Sequence, residues 1–212
     1  MIRLLVADDH RMFREGLCRL LSDHTDLQVT AQASTCAEAL DAVRRGEVDV
    51  AILDLSMPGR SGTEMIAHVK ATRPAMRVLV MSMHGDTYHV TQSLRAGADG
   101  YVTKEIAASE LCIAIRRLYE GGRFLSASVA EQVALGIAKQ DTGGSRHAKL
   151  SDREYRIFEM LVAGKRGCEI AAELSLSEKT VSTHKVNVLK KMNFTSRAEL
   201  IRYAIRQQLL AA

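Results

Sequence analysis

The sequence contains no tryptophan, and only 4% of its 212 residues are aromatic. None of its apolar runs approaches the roughly 20 residues of a membrane-spanning helix, and the amino-terminal residues contain no signal-peptide cleavage site. The four cysteines are widely separated and form no CxxC pair, so neither a disulfide framework nor a zinc finger is predicted. We interpret them as small core residues of a cytoplasmic protein.

The charge of the chain is distributed unevenly. Residues 1–145 contain 16 lysines and arginines and 18 acidic residues, a net charge of −2, whereas residues 146–212 contain 13 and 7, a net charge of +6. A basic carboxyl-terminal part indicates a second domain that binds a polyanion. We predict a first domain over residues 1–120, a linker with a short helix over 121–148, and a second domain over 149–212.

Apolar runs and helical periodicities alternate along the first domain. Strands are predicted at Ile2–Ala7, Leu27–Ala33, Val50–Leu53, Arg77–Ser82 and Gly100–Val102. Helices are predicted between and after them, at Arg11–Leu21, Ala37–Arg44, Ser61–Ala71, Tyr88–Ala96 and Ile106–Tyr119. Strands that alternate with helices imply right-handed crossovers in a parallel sheet. The prediction is therefore a doubly wound, five-stranded parallel α/β domain.

The polar residues that follow these strands are the candidate site. The apolar run at 50–53 leads directly into Asp54, and Pro58 and Gly59 then end the strand. Other strands are followed or ended by Asp8, Asp9, Ser82 and Lys104. Because the carboxyl ends of parallel strands meet at one edge of the sheet, we expect all of these side chains to lie close together.

This combination of side chains is typical of phosphoryl chemistry. Carboxylates held together repel one another unless a cation lies between them, and Mg²⁺ combines carboxylate ligands with phosphate oxygens. Lys104 adds positive charge and Ser82 a hydroxyl group. Singly, each residue has a plainer interpretation, such as a helix N-cap for Asp8 or Asp9. Their joint occurrence predicts that Asp54 is the nucleophile toward a phosphoryl group.

This set of residues resembles the receiver domain of bacterial two-component response regulators, a flavodoxin-like fold. The resemblance is carried by Asp8-Asp9, Asp54, Met57-Pro58-Gly59, Gly62, Ser82, the segment 96–101 and Lys104. It implies that Asp54 accepts a phosphoryl group from a sensor histidine kinase. It also implies that Asp9, Asp54 and the Ser56 backbone carbonyl bind Mg²⁺ directly and that Asp8 binds it through water. Ser82 and Tyr101 match the pair of switch residues. Glu105 departs from the proline that many receivers have after the lysine.

The second domain is predicted to consist of four helices. Ser151 and Glu154, and again Ser196 and Glu199, have capping-box spacing before apolar periodic segments. Between them, a helix near Cys168–Leu174, a turn at Ser175–Ser177 and a helix that ends near Met192 form a helix-turn-helix pattern. The segment 139–149 contains Gly143-Gly144-Ser145 and is predicted to be a flexible tether.

The third helix of this domain has one apolar face and one polar face. A solvated surface is the plainer interpretation of the polar face, but its short side chains and its valine suit a DNA groove, and lysines beside them can contact phosphates. The predicted DNA-contacting residues are Lys179, Thr180, Ser182, Thr183, Lys185, Val186 and Lys190. Lys191 is a further candidate for a phosphate contact.

This half resembles the LuxR-type helix-turn-helix of the NarL/FixJ subfamily of response regulators. The resemblance is carried by Leu150–Glu154, Glu169-Ile170-Ala171, Leu176-Ser177, Lys179-Thr180-Val181 and His184. It implies that Ser182, Thr183 and Val186 face base edges. At the position of Ser182 the subfamily commonly has a lysine.

The two resemblances together predict a transcription regulator rather than an enzyme. The expected partners are promoter DNA with two half-sites, a sensor kinase, and a second copy of the chain when it is phosphorylated or DNA-bound. RNA polymerase is a candidate partner. An aspartate-nucleophile phosphohydrolase needs a second acid where Ser56 stands, and a ligand-sensing LuxR protein typically has an aromatic-rich pocket. The alternative that stays open is a LuxR-type transcription factor that acts without phosphorylation.

Overall fold

The computed structural model describes residues 1–57, 62–83, 87–140, 146–174, 176–207 and 209. Several positions used in the sequence analysis lie outside these residues, namely Pro58, Gly59, Ser61, Gly143-Gly144-Ser145 and Ser175. The chain divides into two compact units, Met1–Lys139 and Gln140–Ala212. In the part of the chain that the structure describes, no helix is both long and apolar enough to cross a bilayer.

The first unit contains a parallel sheet. Its strands are Ile2–Ala7 (β1), Leu27–Ala33 (β2), Val50–Leu53 (β3), Arg77–Ser82 (β4), Gly100–Thr103 (β5) and Phe124–Leu125 (β6). Their order across the sheet is β2-β1-β3-β4-β5-β6, and each neighbouring pair is parallel. The doubly wound parallel fold and its five predicted strands are confirmed. Strand β6 is an addition, because two residues are too few to leave a recognisable pattern.

Helices cover both faces of this sheet. They are Arg11–Ser22 (α1), Cys36–Arg45 (α2), Gly62–Thr72 (α3), Thr87–Arg95 (α4), Ala108–Tyr119 (α5) and Ala127–Gln140 (α6). Successive strand residues alternate between two buried clusters: Leu4 and Val6 pack with α1 and α5, whereas Leu5 and Ala7 pack with α2, α3 and α4. Both faces are thus covered, which explains why the central strand β3 is apolar without alternation, whereas the edge strand β2 alternates with polar residues.

Asp99 joins three elements just before β5. Its carboxylate accepts hydrogen bonds from Lys70 of α3 at 2.6 Å, from Arg77 of β4 at 3.1 Å and from the Val78 backbone amide at 2.9 Å. Burial acts to raise the pKa of Asp99, but these hydrogen bonds, that of Lys70 first, outweigh it and hold the pKa below its usual value. The ionised carboxylate therefore fixes the turn from which β5 starts.

The second unit is all helical, as predicted. A 3-10 turn at Arg146–Lys149 precedes helices Asp152–Val162 (α7), Gly167–Glu173 (α8), Glu178–Met192 (α9) and Arg197–Arg206 (α10). Both predicted capping boxes are formed. The 3-10 turn replaces part of the predicted tether, because His147 is buried and its Nδ1 lies 2.8 Å from the Tyr203 hydroxyl.

The interpretation of the cysteines as core residues is wrong for one of the four. Cys36 and Cys112 are buried and Cys18 is half-buried, but Cys168 is exposed. It lies in the first turn of α8, where Ile170 and Ala171 rather than Cys168 provide the buried face. Residues two positions apart on an α-helix point to nearly opposite sides, so Cys168 faces solvent when Ile170 faces the core.

We predict that Asp99→Asn lowers the free energy of unfolding by about 2 kcal/mol, because it leaves Lys70 and Arg77 beside a neutral side chain. The matched control is Asp41→Asn, which removes an exposed ion pair with Arg44 and should change stability by less than about 0.5 kcal/mol. Urea unfolding followed by circular dichroism measures both variants.

The loss caused by Asp99→Asn should also depend on pH. A carboxylate with a lowered pKa in the folded state stabilises the protein above its unfolded-state pKa, and this stabilisation disappears as the pH falls through the folded-state pKa. The difference between wild type and Asp99→Asn should therefore be complete at neutral pH and shrink in acid. A difference that stays constant down to strongly acidic pH would contradict the assigned role of the ionised carboxylate.

Candidate functional site

The strand register brings Asp8 and Asp54 together. Ala7 of β1 pairs with Leu53 of β3, so the residue after each strand lies at the same edge of the sheet. The Asp54 amide donates a hydrogen bond to the Ala7 carbonyl at 2.9 Å, which extends the ladder into the site. Both carboxylates are almost fully buried, as expected for a site built into the end of a parallel sheet.

Lys104 reaches the same point from the end of β5. Its Nζ lies 2.6 Å from Asp8 Oδ2 and 3.0 Å from Asp54 Oδ2, and only 7% of its side chain is exposed. The Phe13 ring lies beneath the ammonium group, with its centroid 4.7 Å from Nζ. The Lys104 amide donates to the Ser82 carbonyl at 2.8 Å. Glu105, in place of the proline of many receivers, therefore does not keep Lys104 from the site.

The pKa values of this pair reflect burial and mutual attraction. Burial raises the pKa of Asp54 above its usual value, and the Ser56 amide and the charge of Lys104 only partly oppose this. Burial acts to lower the pKa of Lys104, but hydrogen bonds and charges from Asp8 and Asp54 outweigh it and raise that pKa. Lys104 therefore stays protonated, and a further cation at the site would favour the ionised form of Asp54.

The donor set fits a hard divalent cation. One ligand atom from each of Asp8, Asp9, His10 and Asp54 can be chosen so that all lie within 4.8 Å of one another. Three of the four are the predicted carboxylates, whose oxygens are the ligands that Mg²⁺ prefers. Asp9 is more exposed than the other two, so the cluster opens toward solvent on its side.

His10 is a member of this cluster that the sequence analysis missed. Its Nδ1 lies 3.0 Å from Asp9 Oδ1 and 3.3 Å from Asp8 Oδ1, and its amide donates to Asp8 Oδ1 at 2.8 Å. The signal was its position directly after the acidic pair. The signal is weak, because Mg²⁺ prefers oxygen ligands and an imidazole beside an acidic pair does not by itself indicate a metal site.

The loop after β3 shapes the wall of the site. The Ser56 amide donates to Asp54 Oδ1 at 3.0 Å and so orients the carboxylate. A Cβ atom added to Gly62 would lie 2.6 Å from Leu55 Cδ2 and 2.8 Å from its backbone Cα. Only glycine allows the start of α3 to approach the residue after Asp54 this closely, which gives the Gly62 of the sequence motif a physical role.

Ser82 and Tyr101 are both fully buried on one face of the sheet. Tyr101 of β5 pairs with Val80 of β4, and Ser82 lies two residues beyond Val80. Side chains two residues apart in a strand point to the same face, so Ser82 and Tyr101 are neighbours by register. The structure thus brings the predicted hydroxyl and aromatic residues to the same side, near the end of β4.

In the second unit, a buried glutamate positions the predicted recognition helix. Glu154 of α7 accepts hydrogen bonds from the Ser151 amide at 2.8 Å and from Lys191 Nζ of α9 at 2.6 Å. Burial acts to raise the pKa of Glu154, but the hydrogen bonds, led by that of Lys191, hold it below its usual value. Lys191, considered for a phosphate contact, is therefore engaged within the unit.

The opposite face of α9 is open to solvent. Six of the seven predicted DNA-contacting residues are exposed: Lys179, Ser182, Thr183, Lys185, Val186 and Lys190. Thr180 is half-buried, and its hydroxyl lies 2.8 Å from that of Ser177, the N-cap of the helix. An apolar residue such as Val186, 62% exposed amid lysines and hydroxyl groups, is suited to base contacts.

Models of two protein families match this chain. The response regulator receiver domain matches residues 4–116, and the luxR family of bacterial regulatory proteins matches residues 148–204. The two matches together cover most of the sequence. They coincide with the two structural units that carry the carboxylate site and the exposed face of α9.

Similar proteins align with this chain along nearly its whole length. The response regulator UvrY of Escherichia coli K12 is 34% identical over all 212 residues, which cover 97% of UvrY, and GacA of Pseudomonas viridiflava is 35% identical over 99% of its length. A solved complex of the response regulator RcsB with DNA has 25% identity and a TM-score of 0.61, covering 95% of this chain and 96% of that one. The chain therefore belongs to the NarL/FixJ-type bacterial response regulators, transcription regulators with a receiver domain and a LuxR-type DNA-binding domain.

Proposed function

We propose that Asp54 is the phosphoacceptor and that a partner histidine kinase supplies the phosphoryl group. A carboxylate oxygen of Asp54 attacks the phosphorus, an acyl phosphate forms, and the phosphorus–nitrogen bond to the kinase histidine breaks. The observation that carries this proposal is the position of Lys104, whose Nζ lies within 3.0 Å of both Asp8 and Asp54. A fixed cation beside a buried nucleophile stabilises the charge of a transferring phosphoryl group.

The metal in this proposal is Mg²⁺. Asp9, Asp54 and the Ser56 backbone carbonyl would hold it directly, and Asp8 would hold it through water. The bound ion would neutralise phosphoryl oxygens and the crowded carboxylates. The geometric support is the proximity of the three carboxylates.

Within the receiver, Ser82 and Tyr101 are proposed to respond to the phosphoryl group. The Ser82 hydroxyl would donate a hydrogen bond to a phosphoryl oxygen, and the Tyr101 ring would then be held in the inward, buried position that it has in this structure. Their register on one face of the sheet supports this pairing. Because the phosphorylated form favours one arrangement of the pair, the modification shifts a population between two states.

The DNA contacts are proposed for the exposed face of α9. Ser182, Thr183 and Val186 would meet base edges, and Lys179, Lys185 and Lys190 would meet phosphates. Thr180, whose hydroxyl is hydrogen-bonded to the N-cap residue Ser177, would contact the DNA backbone near the start of α9. RcsB has been solved bound to DNA, which supports the same use of this unit here.

We further propose the partners of this protein. They are promoter DNA with two half-sites, a cognate kinase, and a second copy of the chain that pairs with it on that DNA or after phosphorylation. RNA polymerase is a candidate partner. The protein is proposed to act in the cytoplasm, where bacterial DNA lies.

The receiver is proposed to span residues 1–120, the linker 121–148 and the DNA-binding domain 149–212.

The first test is phosphorylation of the full chain. With Mg²⁺ and a small-molecule phosphodonor, one phosphoryl group should add, and intact mass spectrometry should detect none on Asp54→Ala. The matched control is Asp41→Ala, which lies on the exposed side of α2 and should be labelled like the wild type. Removing Mg²⁺ with a chelator should abolish the labelling. Equal labelling of wild type and Asp54→Ala would rule out Asp54 as the phosphoacceptor, whereas a wild type that takes up no phosphoryl group would favour the phosphorylation-independent alternative.

A second test concerns phosphate contacts. Lys190→Ala should weaken binding to all DNA sequences alike and reduce the slope of log affinity against log salt by roughly 1, because one fewer counterion is released. Lys165→Ala removes the same charge at a position outside α9, where Lys165 pairs with Glu173 of α8, and it should leave the slope unchanged. Fluorescence anisotropy at several salt concentrations measures both, and equal slopes for the two variants would contradict the assignment.

A third test concerns base readout. Thr183→Ala and Val186→Ala should each change the ranking of DNA sites, because a lost base contact costs about 1–3 kcal/mol at the base pair concerned and little elsewhere. Binding-site selection followed by sequencing gives the ranking for each variant. Exposed Asn187, not among the predicted contacts, provides the control Asn187→Ala. If both α9 variants retain the wild-type ranking, another surface reads the sequence.

A further inference from the structure

The chain after α5 returns to the edge of the sheet beside Tyr101. Strand β6 pairs with β5 so that Leu125 lies opposite Tyr101, and the Ser126 amide donates to the Tyr101 carbonyl at 3.3 Å. Ser126 is itself buried. The start of α6 is therefore attached to the backbone of the tyrosine that we assign to the switch.

Helix α6 then covers the cluster to which the Tyr101 ring belongs. Val129 is fully buried in the same hydrophobic cluster as Tyr101 and Val90 of α4, and Val133 packs against that cluster from one turn further on. The Thr87 hydroxyl at the start of α4 donates to the Gln132 carbonyl of α6 at 3.1 Å. Side chains from β5, α4 and α6 thus belong to the same hydrophobic cluster as the Tyr101 ring.

In its described part, residues 127–135, α6 is attached by few side chains. Val129 is fully buried, Val133 is half-buried, and the others there are exposed, including Leu135 at 55%. A helical segment with so little buried surface opens at low free energy. A change in the packing around Val129 is therefore expected to alter how often this segment detaches.

We propose that the position of the Tyr101 ring controls the docking of α6, and that this docking is the output of the receiver. The inference rests on the proposed phosphorylation of Asp54. With the ring inward, the hydrophobic cluster that contains both Tyr101 and Val129 stays packed, and α6 stays on α4 and β6. With the ring displaced, this cluster loses its largest side chain, its packing around Val129 weakens, and α6 is released. Phosphorylation then acts by favouring the docked population.

The consequence for the DNA-binding unit is a change in the length of its connection. With α6 docked, the connection consists of residues 141–145, between the end of α6 and the 3-10 turn at residue 146. With α6 released, it extends back to the end of β6. Because the effective concentration of a tethered domain depends on the length of its tether, docking of α6 sets how far the DNA-binding unit reaches and how readily two copies occupy neighbouring half-sites.

The first experiment measures α6 docking by hydrogen–deuterium exchange of the full chain, read by mass spectrometry of peptides within residues 126–135. Val129→Ser should speed exchange there roughly tenfold, because it removes the buried anchor. Leu135→Ser, on the same helix but exposed, is the matched control and should leave exchange unchanged. Wild-type exchange as fast as that of an unstructured peptide, or equal effects of the two variants, would overturn the docking of α6.

The second experiment links docking to Tyr101. Tyr101→Ala should speed α6 exchange to about the level of Val129→Ser, whereas Tyr101→Phe, which keeps the ring, should stay near wild type. Peptides from β1 and β3 report whether each variant is folded. If Tyr101→Ala loses protection there as well, Leu125→Ala replaces it, since Leu125 lies beside the ring on β6. Unchanged α6 exchange in a folded variant of either position would overturn the inference.

The third experiment adds phosphorylation. Wild type treated with Mg²⁺ and a small-molecule phosphodonor should show slower α6 exchange, and Asp54→Ala treated in the same way should not. Intact mass on the same samples separates the possible failures. A chain phosphorylated on Asp54 with unchanged α6 exchange overturns this inference and leaves the proposed function standing, whereas a chain that takes up no phosphoryl group overturns both.

Discussion

The ammonium group of Lys104 lies between the buried carboxylates of Asp8 and Asp54, and the rest of the receiver is arranged to hold it there. Burial raises the pKa of Asp54, and the charge of Lys104 opposes this rise. Lys104 in turn depends on the β4–β5 register and on the Phe13 ring beneath it. A site with its positive charge already in place needs little reorganisation when a phosphoryl group arrives.

This arrangement is possible because the sheet is parallel and covered on both faces. Parallel strands all end at one edge, so residues far apart in sequence, such as Asp8, Asp54 and Lys104, become neighbours without any long loop. The two hydrophobic clusters exclude water from both sides of the sheet and lower the effective dielectric constant around the site. Asp99 adds a second buried charge cluster that fixes the start of β5 and thereby the position of Lys104.

The DNA-binding unit also contains a buried carboxylate that is paired with a lysine. Buried Glu154 binds Lys191 and so fixes α9 against α7, while arginines hold helix ends: Arg153 donates to the Leu174 carbonyl and Arg197 to the Leu161 carbonyl. Helix α9 is thus held on its buried side, and its open face carries short side chains and exposed lysines. Regulation through α6, as proposed, would change the availability of this unit to DNA without any change in its internal structure.

Apolar periodicity, capping residues and strand-end polar residues are local signals. They were enough to predict the order of β1–β5 and α1–α5, the two-part organisation, and the three carboxylates and the lysine that meet at one sheet edge. The sequence by itself did not predict β6, the 3-10 turn at Arg146–Lys149, the exposure of Cys168, or the place of His10 in the carboxylate cluster. Each of these features depends on contacts between residues far apart in the sequence. Strand β6 forms where Leu125 pairs with Tyr101 of β5, and His147 is buried where its ring contacts the Tyr203 hydroxyl. Lys191 shows the same limit, since its pattern on the helix resembles that of Lys190, and only the presence of buried Glu154 decides that it serves the fold. Such cases depend on the tertiary structure, because the free energy of a contact is set by both residues that form it. A local segment of sequence contains only one of the two.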